Sequence, residues 1–232
     1  MNWTRVQLKS AAKDAIGRNY WPSVLCGFVS VLVAGGTVSV SYNLNQRDLQ
    51  AMFRGNLFTL LPLLMQILFV ASLASVAILI FLRNPLKVGV SRFFLCNASA
   101  NASPREMGYA FSENRYWKTV GAMALRTLYV FLFSLLLVVP GIMRAYDYYL
   151  VPQILADNPN MSASEALAKS KQLMYGHRFD TFVLNLSFFG WAILSALTMG
   201  ILNIFYLTPY MLQTDTALYL ALRGLPQQQQ PW

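Results

Sequence analysis

Four ionisable side chains stand inside apolar stretches where a charge is costly: Arg126, Arg144, Asp147 and Asp215. Charges placed in hydrocarbon face a bundle interior, pair with one another, or line a path for an ion, proton or headgroup. Arg144 and Asp147 are three residues apart, so they can pair on one helix face. Arg126 lies about eight residues, roughly 12 Å, into its apolar run. Asp215 lies at a similar distance from Arg223. That match in depth makes Arg126 and Asp215 the expected interhelical pair. Two uses are open to these groups: a polar pocket for a ligand, or paired charges that fix helix packing. Tyr146, Tyr148 and Tyr149 flank Asp147, beside Pro152 and Gln153. They read as interfacial anchors or as the lining of a phenolic cavity.

Other chemistry finds no support. His177 is the single histidine, and no serine has an evident histidine partner, so no catalytic residue is assigned. Cys26 and Cys96 make neither a CxxC motif nor a disulfide framework, and no metal site is expected. No phosphate-binding glycine loop occurs, and no cofactor is expected.

The elements that must position the charged groups are long and apolar. No charge occurs in Asn19 to Gln46, Gly55 to Leu82 or Thr181 to Thr214. About 20 helical residues suffice to cross a hydrocarbon core. Of the 232 residues, 56% are hydrophobic and 12% charged, against about 25% charged in ordinary soluble domains. That leaves too little polar surface for a soluble globule. The expected fold is therefore all-α, a polytopic transmembrane helix bundle of about six spans in one domain covering 1–232. Spans are placed near 21–42, 58–82, 118–139 (stopping at Pro140-Gly141), 142–156, 180–203 and 206–222. The net charge of +9 collects at span ends. It fits anionic headgroups, and nucleic acid is not expected as a partner.

Basic residues fix the orientation. Arg5, Lys9, Lys13 and Arg18 precede the first span, and Arg83 to Lys118 carry six more between spans two and three. Lys169, Lys171 and Arg178 precede the fifth span, and Arg223 follows the sixth. All fall on one side if 142–156 crosses, leaving Arg47 and Arg54 opposite. Both termini and an 84–117 loop are then cytoplasmic, in a bacterial plasma membrane. Segment 142–156 is the weak span, short enough to be tilted or re-entrant.

Two amphipathic helices complete the plan. Residues 1–19 hold an interfacial helix with Arg5, Lys9 and Lys13 as a basic stripe. Residues 162–176 form a cytoplasmic surface helix opened by Ser162 and Glu165 at capping-box spacing. Its apolar face is Ala163, Ala166, Leu167, Ser170, Leu173 and Met174, with Lys169 and Lys171 turned away. Ala192, Ala196 and Gly200 form a small-residue ridge for close helix approach. Residues 224–232 are a polar tail.

Several strings carry a family resemblance: Lys13–Trp21 (KDAIGRNYW), Asn84–Leu95 (NPLKVGVSRFFL), Pro140-Gly141-Ile142, Ile154–Gly176 and Phe182–Leu202, then Pro209-Tyr210. In this order the chain resembles the domain-of-unknown-function 975 group of bacterial integral membrane proteins. The loop 42–57 and Tyr206-Leu207-Thr208 depart from the pattern. The resemblance implies a multi-pass bacterial membrane protein and no assigned role. A fainter likeness, through Lys169-Ser170 and the helix around them, is to a membrane domain fused to some glycerophosphodiester phosphodiesterases.

The expected function is binding or moving a lipid or other amphiphile near Arg126, Asp147 and Asp215, with membrane lipid as the partner. The alternatives are a structural or regulatory subunit that docks a membrane or cytoplasmic protein through 84–117 and 162–176, and an intramembrane enzyme.

Overall fold

A computed structural model describes residues 3–35, 65–66, 68–70, 72, 78–100 and 102–224. Most of the expected second span, the end of the first, the 42–57 loop and the polar tail lie outside these residues. The described elements are helical. They are α1 (Arg5–Arg18), α2 (Tyr20–Gly35), α3 (Asn84–Ser99), a 3-10 helix (Pro104–Phe111) and α4 (Glu113–Leu136). There follow α5 (Val138–Asp147), α6 (Val151–Asp157), α7 (Ala163–Met174), α8 (Arg178–Leu186), α9 (Phe189–Leu197) and α10 (Thr208–Arg223). Two π-turns, Leu79–Arg83 and Asn203–Leu207, lead into α3 and α10.

Two stretches, Arg115–Leu135 and Arg178–Leu197, are long and apolar enough to cross a membrane, and Tyr20–Leu32 is a shorter apolar helix. Only 22% of each longer stretch is buried. A soluble core helix would be covered on most of its faces, so these side chains need another apolar environment. Six spans are not what the described residues present. Segment 142–156 is not one rod: α5 ends at Asp147, a turn follows, and α6 has 7 residues, only about 10 Å of helix.

Proline explains part of this segmentation. A proline lacks the N–H that would bond the carbonyl four residues earlier, and it clashes with that carbonyl. At two of these sites a side chain from another element donates instead. Tyr116 donates its hydroxyl to the Phe81 carbonyl (2.8 Å), four residues before Pro85. Tyr20 donates to the Phe205 carbonyl (3.2 Å), four before Pro209. Each of these two prolines thus marks a cross-link between elements. Pro152 differs, since it opens α6, and the Tyr148 carbonyl in the turn ahead of it accepts Nε–H from Arg126 (2.7 Å). Pro140-Gly141 does not stop a helix as expected. The break comes at Leu137, whose backbone is extended (φ −161°), and Pro140 falls in the first turn of α5.

α4 and α5 form an antiparallel hairpin in which Gly141 meets Ser134; a Cβ on Gly141 would lie 2.3 Å from the Ser134 hydroxyl. Gly89 is as constrained, since its Cβ would lie 1.9 Å from the Met107 carbonyl of the 3-10 helix. That contact belongs to a correction: 84–117 is mostly helix and turn, and α3 buries Val88, Val90, Phe93 and Phe94 in the core. A mixed run such as NPLKVGVSRFFL reads as a loop only if its neighbours are unknown.

The base of the molecule packs on α10, whose Leu218, Tyr219 and Leu222 are fully buried or nearly so. α1 lies on α10 through Leu8, Ala12 and Ala15. It is a core helix rather than only an interfacial one, and its basic stripe is partly spent within the fold. Lys9 sits 4.3 Å from the Phe188 ring centre and Lys13 5.8 Å from that of Tyr210, cation–π contacts that the spacing alone does not predict. Asn97 joins the base, donating to the Ala15 carbonyl and to Gln213 (both 3.2 Å) and accepting from Asn19 (2.8 Å).

α7 opens with the expected capping box. Ser162 Oγ accepts from the Glu165 N–H (3.4 Å), and Glu165 Oε2 accepts from the Ser162 N–H (2.9 Å). That backbone donor holds the Glu165 carboxyl below the usual glutamate range. Ala166, Leu167, Ser170, Leu173 and Met174 are buried, and Gly176 takes φ +78° just past the helix end. The small-residue ridge fails in packing terms: α9 ends at Leu197, Ala192 and Ala196 are exposed, and Gly200 (φ +84°) is in the following turn.

Candidate functional site

Residues 147–149, the end of α5 and the turn after it, gather the charged groups, because the α4–α5 hairpin brings them level with Arg126. Asp147 is 2% exposed. Its Oδ2 lies 3.3 Å from Arg144 Nη1, and its Oδ1 lies 2.5 Å from Arg178 Nε, an ion pair whose N–H does not point along a hydrogen bond. Ser170 of α7 donates to the Asp147 carbonyl (2.7 Å). The carboxylate thus ties α5 to the start of α8, and the main-chain carbonyl of the same residue holds α7. The expected local Arg144–Asp147 pair forms, but Arg178 joins it. In sequence Arg178 reads only as a charge at a span end.

Two residues along, Tyr149 donates its hydroxyl to Asp215 Oδ1 (2.8 Å) on α10 and lies 3.4 Å from Asn185 Oδ1 on α8. Lys87 of α3 interacts electrostatically with both Asp215 and Arg126. Lys87 keeps an open flank, yet the protein packed around its ammonium, and next Arg126 and Arg83, push it down to about 8. The cation facing Asp215 is therefore lost as the pH rises through about 8.

The expected Arg126–Asp215 ion pair does not form among the described residues. Arg126 is committed to the Tyr148 carbonyl and Asp215 to Tyr149. Equal depth along two helices fixes neither the azimuth nor the competing acceptor that the 148–150 turn presents. The adjacent residues Tyr148 and Tyr149 connect the two charges instead. The sequence offers Tyr149 as an interfacial anchor or part of a phenolic cavity, and nothing in it marks Lys87 or Asn185 as partners of Asp215 and Tyr149.

Beside this polar cluster lies a cleft of about 250 Å³ lined by Tyr146, Phe182, Asn185, Leu186, Phe188, Phe189, Ala192 and Met211. Tyr146 stacks on Tyr149 (5.9 Å, 19°), and Asn185 belongs to both cleft and cluster. Its walls are apolar apart from the Asn185 amide and the Tyr146 phenol, and Asn185 leads through Tyr149 to Asp215. A third acid, Asp157, accepts from Tyr219 and Arg223 (both 2.7 Å) at the far end of α10.

The comparisons add a family and no activity. The family described as "Protein of unknown function (DUF975)" matches residues 16–226. The chain belongs to that family. No curated protein and no solved structure matches it. Membership spans the whole charged cluster and the cleft, from Lys87 to Asp215.

His177 is not isolated as expected, since Asp180 lies 3.9 Å away and Trp3 packs on it at 6.1 Å. Among the described residues no group of three His, Cys, Asp or Glu side chains could hold a metal.

Proposed function

We propose that this chain is a multi-pass protein of the bacterial plasma membrane, with both termini cytoplasmic, that binds or moves an amphiphile. The observation that supports this is the cleft whose apolar walls run into the Asn185–Tyr149–Asp215 cluster. An acyl chain gains by leaving water for such walls. A polar head finds hydrogen-bonding groups at Asn185 and Tyr146. The exposed apolar side chains of α8 and α9 around the cleft suit contact with lipid. The same observation favours ligand binding over partner docking through 84–117, where α3 spends most of its apolar side chains inside the chain.

Native mass spectrometry of the protein extracted with its lipids tests this. Wild-type protein should retain a bound amphiphile. Ala192→Trp, which fills the cleft, and Asn185→Leu, which removes the polar contact, should each lower its occupancy by about tenfold, the effect of roughly 1.4 kcal/mol. Unchanged retention in both folded variants would remove the cleft from the account.

A further inference from the structure

A second cleft, of about 210 Å³, lies between α4 and α7. We propose that it holds the phosphate-bearing headgroup of an anionic phospholipid. Leu125, Tyr129, Tyr148, Ser164, Leu167 and Lys171 line it. The rings of Tyr129 and Tyr148 stand 6.0 Å apart on one wall, and Arg144 interacts with the Tyr148 hydroxyl.

The charge balance selects an anion. Lys171 makes no ion pair among the described residues. The carboxylates that could neutralise it are engaged elsewhere. Glu165 is held in the cap of α7, and Asp147 already faces Arg144 and Arg178. An ammonium, phenols and the Ser164 hydroxyl match a phosphate, which accepts charge-assisted hydrogen bonds.

The setting selects a lipid over a free phosphate. Leu128 is 51% and Leu132 50% exposed, and they carry the cleft wall along α4 toward its apolar end. A headgroup at Lys171 would lay its chains along that face, whereas a free phosphate gains nothing from it. This site shares no residue with the Ala192 cleft.

The test uses the full chain in neutral detergent, titrated with phosphatidylglycerol and phosphatidylcholine. Wild-type protein should bind phosphatidylglycerol about tenfold more tightly, in line with one charge-assisted contact. Lys171→Glu and Leu125→Trp should abolish the preference, while Lys118→Glu, an equal charge change at an exposed position, should keep it. Ala192→Trp should also keep it, which separates this site from the amphiphile cleft. Where Lys171→Glu misfolds, Lys171→Gln keeps the stem and serves instead. A preference that survives loss of the Lys171 charge would overturn the proposal. So would equal loss in Lys118→Glu, which would mean net charge alone, or displacement of the lipid by millimolar inorganic phosphate, which would mean a free-anion site.

Discussion

Asp147→Ala should lose about 3 kcal/mol of stability, the largest effect expected of any single side chain here. The carboxylate is buried and faces two guanidinium groups, Arg144 and Arg178, each with about 29% of its side chain exposed. Removing it leaves two cations near one another in a place that water reaches poorly. Removing either arginine leaves one complete pair, so Arg144→Met or Arg178→Met should cost less, about 1 kcal/mol. The partial exposure of the arginines sets the estimate at the low end of what a broken buried pair costs. Thermal unfolding in detergent, read by circular dichroism and by monodispersity, checks the ranking. A loss below about 1 kcal/mol for Asp147→Ala, or an arginine variant worse than it, would show that solvent screens the cluster.

Arg126→Met should cost about 2 kcal/mol, for a reason unrelated to Asp215. The variant keeps an apolar stem but leaves the Tyr148 carbonyl without its donor, and an unsatisfied buried acceptor costs about 1–3 kcal/mol. Arg126→Lys, which keeps a cationic donor, should recover at least about 1 kcal/mol of that loss. Equal costs for the two variants, read by thermal unfolding in detergent, would show that the bond to the Tyr148 carbonyl carries no stability. Asp215→Asn should not couple to Arg126→Met, since Tyr149 separates them.

These two residues show what was legible in the sequence. Composition and uncharged runs gave an all-helical chain, and the spacing of Ser162 and Glu165 gave α7 with its cap. Such signals are local, read within one or two turns. The Arg144–Asp147 pair was legible for the same reason. Arg178 and Lys87 were not, because they come from elements 31 and 60 positions from Asp147, and only the packing of α8 and α3 brings them in. Arg126 is half-buried, and its partner is the Tyr148 carbonyl rather than the expected Asp215. Pro85 and Pro209 stand in the sequence, but which side chain answers each freed carbonyl depends on tertiary structure. The α4–α5 hairpin illustrates the same limit. Pro140 looked like a stop, whereas the extended backbone at Leu137 makes the turn and Gly141 permits the close return.

Photo-crosslinking tests the amphiphile cleft most directly. A fatty amphiphile carrying a diazirine midway along its chain is added to the detergent-extracted protein, irradiated, and the modified peptides are mapped. The cleft predicts modification concentrated at Phe182, Leu186, Phe189 and Met211, and suppressed by an excess of the same amphiphile without the diazirine. Labelling spread evenly over the other exposed apolar positions, such as Leu132, Leu135, Ile193 and Leu197, with no suppression by the competitor, would mean that lipid only coats this protein and contradict a binding site.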